Sequence, residues 1–333
     1  MRWFVKRAIA AFLTVYVAVT ITFFVVRSMP GNPVQALAMA LVQQLYIPYD
    51  TALSIAKAVT PFIPQGPIWE QYFRYMVNFF RGNLGYSISY STGVPVTELL
   101  ASAIPWTVLV VATSLVISFG IGISIGMLMA YKHGSKFDSV LAVVFSVIRS
   151  IPAYVIALIF LIIFAFQLSI FPTGGAYSVQ PSFSLQFIKD VLWHAALPII
   201  TWVFIHFGGW ALSMRGSTIS VLGEDYITYA QARGLPSRRI VLTYVGKNAI
   251  LPIFTQFMLS LGFMFGGSVF IEYVFSYPGV GYMLYQAIIK RDWFLMLGAF
   301  DVIVIAVALG TFIADMLYGF LDPRVRRGGE VSA

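Results

Sequence analysis

Trp106-Thr107-Val108-Leu109-Val110-Val111-Ala112-Thr113-Ser114-Leu115-Val116-Ile117-Ser118-Phe119-Gly120-Ile121-Gly122-Ile123-Ser124-Ile125-Gly126-Met127-Leu128-Met129-Ala130 carries no charged residue. A transmembrane helix needs about 20 predominantly apolar residues, and this run exceeds that. The whole chain has the same character. Of its 333 residues, 59% are hydrophobic and 10% charged, and the mean hydropathy is +0.85. A soluble domain carries about 25% charged residues. So few charges cannot cover a water-facing surface, which excludes a soluble enzyme or binding module, a disordered chain and a collagen. Cysteine is absent, so disulfides and thiolate metal sites are absent too. Within the opening run, Gly122-Ile123-Ser124-Ile125-Gly126 matches the G-x-S-x-G pattern of hydrolases. A nucleophile elbow needs a strand, a sharp turn and a helix. Here the motif lies mid-way along an apolar run, where small residues four apart suit close helix packing. Gly262 and Gly266 repeat that spacing.

Outward from this run, five more have the same character. They are Ala8–Val26, Val140–Phe166, Ala195–Met214, Ala249–Ile271 and Phe294–Phe320. The first follows Arg2, Lys6 and Arg7 and is closed by Arg27-Ser28-Met29-Pro30-Gly31 with no small-residue cleavage site. It reads as an uncleaved first span rather than a signal peptide. Basic residues set the orientation. With the N-terminus in the cytoplasm, thirteen fall inside: Arg2, Lys6, Arg7, Lys132, Lys136, Arg215, Arg233, Arg238, Arg239, Lys247, Arg324, Arg326 and Arg327. Seven fall outside: Arg27, Lys57, Arg74, Arg81, Lys189, Lys290 and Arg291, with Arg149 left within a span. The net charge of +8 therefore sorts by membrane side and does not point to nucleic acid. Both termini are expected in the cytoplasm. The long stretch between the first two spans contains Pro30, Pro33, Pro48, Pro61, Pro64, Pro67 and Pro95 with amphipathic pieces such as Ile68–Phe80 between them. It predicts short external helices.

Chemistry-bearing motifs are few. There is no G-x-x-x-x-G-K-[ST] and no H-E-x-x-H, so the chain has no phosphate-cradling loop of its own. His133, His194 and His206 are scattered. His194, beside Trp193, reads as an interfacial anchor, and His206, inside a span, as either a path residue or a satisfied buried histidine. The most informative segment is Glu224-Asp225-Tyr226-Ile227-Thr228-Tyr229-Ala230-Gln231-Ala232-Arg233-Gly234-Leu235-Pro236. Its two leading acids suit the positive end of a helix dipole, and Gly234 with Pro236 suits a helix stop. A helix of two to three turns outside the membrane is expected. Small residues Ala230 and Ala232 would let it dock into a partner's groove.

That segment resembles the cytoplasmic EAA loop of ABC-importer permeases. It is most similar to the dipeptide/oligopeptide permease group, B-type subunit. The group's loop pattern is matched by Tyr226, Ala230, Ala232, Gly234, Leu235, Arg238, Arg239, Asn248 and Leu251-Pro252. Further matches run from end to end. Pro30-Gly31-Asn32-Pro33 resembles the family's PGDP, and Gly82-Asn83-Leu84-Gly85-Tyr86-Ser87 with Pro95-Val96 its GDLGxS and PV elements, with Asn for Asp in both. Trp193-His194 and Leu197-Pro198 resemble its element before the fourth span. Glu272-Tyr273-Val274-Phe275-Ser276-Tyr277-Pro278-Gly279-Val280-Gly281 resembles its ExVFxxPGxG. Arg291-Asp292 and Leu321-Asp322-Pro323-Arg324 resemble its tail. Thr228-Tyr229-Ala230 replaces the general Glu-Ala-Ala start, a departure typical of the peptide group.

The resemblance implies an all-α integral membrane protein of the ABC type I importer permease fold. It would have six transmembrane helices, short extracellular helices and a cytoplasmic coupling helix. Residues 1–27 would hold the N-terminal tail and first transmembrane helix, 28–104 an extracellular segment, and 105–333 a five-helix core with the EAA-type loop at about 215–248. Located in the inner (plasma) membrane, the chain would form half of a path for di- or oligopeptides or related solutes such as oligosaccharides. It would not be an enzyme. A second homologous permease, two ATPase subunits and an extracellular substrate-binding protein would complete the complex within the lipid bilayer. ATP and Mg would be bound by the ATPases, with no cofactor in this chain. Coupling would rest on Glu224, Asp225, Tyr226, Ala230, Ala232, Arg233, Gly234 and Leu235. The competing reading is an ion-coupled secondary transporter, supported by Asp301 and Asp315 in the last span; against it, no inverted repeat is visible.

Path residues come from the sequence itself. Arg149 lies mid-span before Pro152. A charge at that depth costs at least ~2.5 kcal/mol in lipid, so it should face a cavity or pair with Glu272, Asp301 or Asp315. Beyond the fifth span, Tyr273, Phe275 and Tyr277 are expected either to narrow the outer mouth as a gate or to form an aromatic belt.

Overall fold

The computed structural model describes residues 2–59, 66–236 and 239–321, with the side chains of 2, 3, 33, 40, 44, 241–243, 261–268 and 318–321 outside that description. Arg238 and the tail Asp322-Pro323-Arg324, Arg326 and Arg327 lie outside the described residues, as does the environment of Gly262 and Gly266. Among the described residues the regular elements are helical, with one isolated bridge between Tyr86 and Pro95. The chain divides into two compact units, residues 1–107 with 265–312 and residues 108–264 with 313–333.

The first unit begins with α1 (Arg2–Ser28), apolar along most of its length. Asn32 then accepts from the Val34 amide at 2.9 Å and Pro33 occupies the first position of α2 (Pro33–Leu45), as capping physics prefers. α3 (Tyr49–Val59) packs on α2 around Leu37, Ala38, Ala52, Ala56 and Ile88. α4 (Ile68–Phe80) lies along α1. The Tyr72 hydroxyl meets Thr20 Oγ1 at 2.9 Å, and Tyr72 and Phe24 stack at 5.4 Å. Phe80 stacks on Phe12 at 6.1 Å. The order of these contacts makes α4 antiparallel to α1. The short helices expected in this stretch are therefore present, and α4 lies against α1.

The remaining elements of this unit are the start of α5 (Val96–Tyr131), the end of α10 (Gly246–Val274), α11 (Val280–Ile289) and α12 (Trp293–Leu321) as far as Phe312. Val96, Leu100 and Ala103 of α5 share a core with Val19, Phe23 and Val26 of α1 and Leu295, Met296 and Ala299 of α12. Asp292, fully buried, fastens the loop before α5 to the start of α12. Its Oδ2 accepts from Ser87 Oγ (2.6 Å) and the amides of Ile88 (2.8 Å), Ser89 (2.9 Å) and Tyr90 (3.0 Å), while Oδ1 caps Leu295 N at 3.2 Å.

The second unit holds the rest of α5, α6 (Lys136–Ser150), α7 (Ala153–Phe160) with a π-helical extension Leu161–Gln167, α8 (Leu185–Leu222), α9 (Asp225–Ala232), a π-helical turn Ile240–Val245 and the start of α10. Gly122 and Gly126 let α5 touch α8. A Cβ at Gly122 would strike Trp210 Cβ and the Phe207 carbonyl, and one at Gly126 the Ala211 carbonyl. Ser124 sits mid-helix, bonded to the Gly120 carbonyl at 2.8 Å, so the G-x-S-x-G match is a packing motif. Buried Asp138 ties α6 to α8: Arg215 grips it with Nε on Oδ1 and Nη2 on Oδ2, the latter at 2.7 Å. His194 is buried, not an interfacial anchor. Its Nε2 meets Ser178 Oγ at 2.9 Å and its Nδ1 the Asp190 carbonyl at 2.8 Å, which knots the preceding loop to α8.

Four described helices are long and apolar enough to cross a membrane: Phe4–Ser28, Val96–Tyr131, Leu185–Leu222 and Trp293–Leu317. A fifth crossing is possible through Lys136–Ser150 with Ala153–Gln167, whose axes meet at 96°. The expected run Val140–Phe166 is thus carried by two helices with a break between them. Ile151, preceding a proline, takes an extended conformation (φ −82°, ψ 129°), and Pro152 restarts the helix without an amide to continue the old one. The expected fifth run falls within α10.

Candidate functional site

Two places in the second unit and one in the first gather the residues singled out by sequence. The first place is the break between α6 and α7. A cavity of ≈ 810 Å³ opens there, walled by Arg149, Ile151, Pro152 and Ala153 of the break, by Ile205, His206, Gly209, Trp210 and Ser213 of α8, and by Gln256, Leu259 and Ser260 of α10. The volume lies within the about 300–1,000 Å³ typical of small-molecule sites. Arg149 and Pro152 are therefore neighbours on one wall, and Arg149 is exposed to the cavity. Among the described residues Arg149 forms no ion pair. Two of its expected acidic partners are engaged in the first unit. Asp301 accepts from the Tyr75 hydroxyl, and Glu272 from two amides. His206, half-buried, lines the cavity and stacks on Trp202 at 4.4 Å. Sequence reading missed Gln256, Ser260 and Ser213. The available signal was the pair of polar residues four apart, Gln256 and Ser260, inside an apolar run.

The second place is α9. Glu224 precedes it in extended conformation and Asp225 opens its first turn. It ends in a Schellman turn: Gly234 is left-handed (φ +71°), its amide bonds the Gln231 carbonyl at 2.9 Å, and the Leu235 amide reaches Ala230 O at 3.3 Å. The helix stands where the sequence predicts it, two turns long. Its facing differs from expectation. Ile227 and Ala230 are buried with Met214, Val245, Ala249 and Ile253, and Leu235 packs on the same cluster. Ala230 is thus a contact to this chain's own core, because it shares a helix face with Ile227 three residues earlier. The outward face carries Glu224, Asp225, Tyr226, Thr228, Tyr229, Ala232, Arg233 and Gly234. Tyr229 is 75% exposed and was not among the residues chosen from sequence. Tyr226 is steadied by Asn248, whose Nδ2 donates to its hydroxyl at 3.0 Å.

The third place is the turn after α10. Glu272 is buried, and its Oε2 accepts from Gly281 N (2.8 Å) and Tyr282 N (3.1 Å), capping α11. Val280 N donates to Thr107 Oγ1 at 2.9 Å. Phe275 and Tyr277 are 1% and 0% exposed, and Tyr277 packs edge-on to Trp106 at 6.2 Å. Neither expectation survives for Phe275 and Tyr277, since a belt or a gate lining needs an exposed ring and both are core of the turn; Tyr273, the third ring named, is exposed. Burial first, then the neighbouring Glu272 charge, pushes the Tyr277 phenol above its usual range.

Residues 122–327 match the family described as binding-protein-dependent transport system inner membrane component. A putative peptide permease protein of Brucella suis is 32% identical over 94% of this chain and 96% of its own length. The oligopeptide transport system permease protein AppB of Bacillus subtilis is 29% identical over 92% of this chain and 93% of its own. The probable D,D-dipeptide transport system permease protein DdpB of Escherichia coli is 32% identical, covering 93% of each chain.

Proposed function

The chain belongs to the family of binding-protein-dependent transport system inner membrane components, and from that premise we propose that it is the membrane subunit of an ATP-driven importer that forms half of a path for peptides. The observation that carries this reading is the build of α9. A two-turn helix is anchored on one face by Ile227 and Ala230, stopped by a left-handed Gly234, and bare on the face of Tyr229, Ala232 and Arg233. A connection between spans has no need of such an element; a rigid docking piece does.

In this reading two partner ATPases bind ATP and Mg, a second homologous permease supplies the other half of the path, and an extracellular binding protein delivers the cargo. Closure of the ATPase pair carries α9 with it and opens the permeases outward. The work comes from contacts that differ between the two states. The chain crosses the inner membrane six times, through α1, α5, the broken α6–α7 pair, α8, α10 and α12, with both termini in the cytoplasm. Residues 28–104 lie on the outer side. There α4 enters the bilayer beside α1, its contacts descending as far as Phe12, and its outward stripe of Trp69, Phe73, Val77 and Phe80 meets lipid tails. Arg149 and Pro152 belong to the path. Phe275 and Tyr277 act on the outer mouth only indirectly, by fixing the turn before α11.

An ion-coupled carrier would need a free carboxylate in a span, and the engagement of Asp301 by Tyr75 counts against it. Proteoliposomes decide between the two. The complete complex should take up peptide only with ATP and the binding protein. Uptake by the purified chain alone, driven by an ion gradient, would overturn the importer reading.

A further inference from the structure

The cavity at the α6–α7 break has one chemical bias. Among the described residues its single ionised wall residue is Arg149 and no carboxylate lines it, and its other polar groups include the Gln256 amide and the Ser213 hydroxyl. Arg149 forms no ion pair among the described residues, although Asp138, Asp292, Glu272 and Asp301 are each held by donors elsewhere. Among the described residues nothing neutralises the guanidinium, and the 96° break at Ile151-Pro152 is what leaves it at the cavity wall instead of on a continuous helix face. A planar fork of donors in a site walled by Ile205, Leu259 and Pro152 is suited to a carboxylate, which it can hold by two parallel bonds.

We propose that Arg149 binds a carboxylate of the cargo during passage, so that the permease itself, and not only the binding protein, selects peptides with a free C-terminal carboxyl group. The proposal rests on the peptide-importer reading above. Pro152 contributes by breaking the span and thereby fixing where Arg149 is presented. Gln256 and Ser213, from two other helices, are placed to donate to the remaining carboxylate lone pairs or to the adjacent peptide carbonyl. Discrimination of this kind needs an unmet charge at the site. Replacing the carboxylate by an amide removes the charge-assisted bond, a loss on the order of tenfold or more in rate.

The test compares trialanine with trialanine amide in proteoliposomes holding the complete complex, with the binding protein saturated by each peptide. Affinities of both peptides for the isolated binding protein are measured separately, so its own preference divides out. The wild-type complex should move the acid about tenfold faster than the amide beyond that preference. Arg149→Gln should bring the corrected ratio to about 1, and Arg149→Lys, which keeps the charge but loses the two-pronged fork, should retain only part of it. The wild-type ratio needs no variant, so poor assembly of Arg149→Gln would not shelter the proposal. A corrected wild-type ratio near 1, or an unchanged ratio in Arg149→Gln, overturns it while leaving the importer reading intact. No ATP-dependent uptake of either peptide by the wild type overturns the peptide reading and this proposal together.

Discussion

Ala230 and Ala232 are two residues apart on one short helix, and a glutamate at each should fail in different ways. Ala230 is 4% exposed and packs with Met214, Val245, Ala249 and Ile253. A carboxylate there is buried without a partner, which costs about 3–5 kcal/mol when nothing compensates the charge. That is a large part of a domain's ~5–15 kcal/mol. Ala232 points outward, so its substitution should change stability by no more than about 0.5 kcal/mol. It does place charge and bulk on the docking face. The assay has two readouts: thermal unfolding of the solubilised chain, and peptide taken up per ATP hydrolysed in the reconstituted complex. Ala230→Glu should lower the unfolding temperature sharply. Ala232→Glu should leave it unchanged and reduce uptake per ATP about tenfold, equivalent to ~1.4 kcal/mol of docking contact. Equal unfolding temperatures for the two variants would refute the facing of α9. Wild-type coupling in Ala232→Glu would refute docking through this face.

Three further outcomes are expected. Asp292→Ala leaves Ser87 Oγ and the amides of Ile88 and Ser89 without their acceptor; at about 1–3 kcal/mol for each buried donor, proteolysis of the loop at 81–95 should accelerate strongly, and less so in Asp292→Asn. The Tyr277 hydroxyl has no hydrogen-bond partner among the described residues, so Tyr277→Phe should be neutral or stabilising in thermal unfolding, whereas Tyr277→Ala should cost about 3–5 kcal/mol as a core deletion. The chain has no cysteine, so single spin labels at Phe73→Cys and Val77→Cys report cleanly; both should be more accessible to oxygen than to a water-soluble nickel reagent, and the reverse would place α4 in water.

The glycines show where sequence reasoning reached three dimensions. Gly122 and Gly126 could be read as a packing pair because four-residue spacing puts them on one helix face, and α8 does approach at that face. The stop at Gly234 was legible for the same local reason: a left-handed residue before a proline ends a helix wherever it occurs. Pro152 was visible too, but its consequence was not. A proline inside an apolar run can kink a helix mildly, as Pro105, Pro198 and Pro252 remain inside α5, α8 and α10. Whether it breaks the span depends on what the neighbouring helices support.

What the sequence determined alone is local and one-dimensional: runs of apolar residues long enough for lipid, helix caps, and an ordered series of motifs. Hydropathy and capping act between residues a few positions apart, so they survive in the linear order. Facing and partnership are different. Ala230 turned inward because Met214 and Ile253, from α8 and α10, converge on it. Phe275 and Tyr277 became core because Glu272 and Thr107 pull their turn closed. Arg149 met Gln256 and Ser213 around one cavity although more than sixty residues separate it from either. Those outcomes were decided by the tertiary structure, because burial and free charge depend on which distant helices pack together.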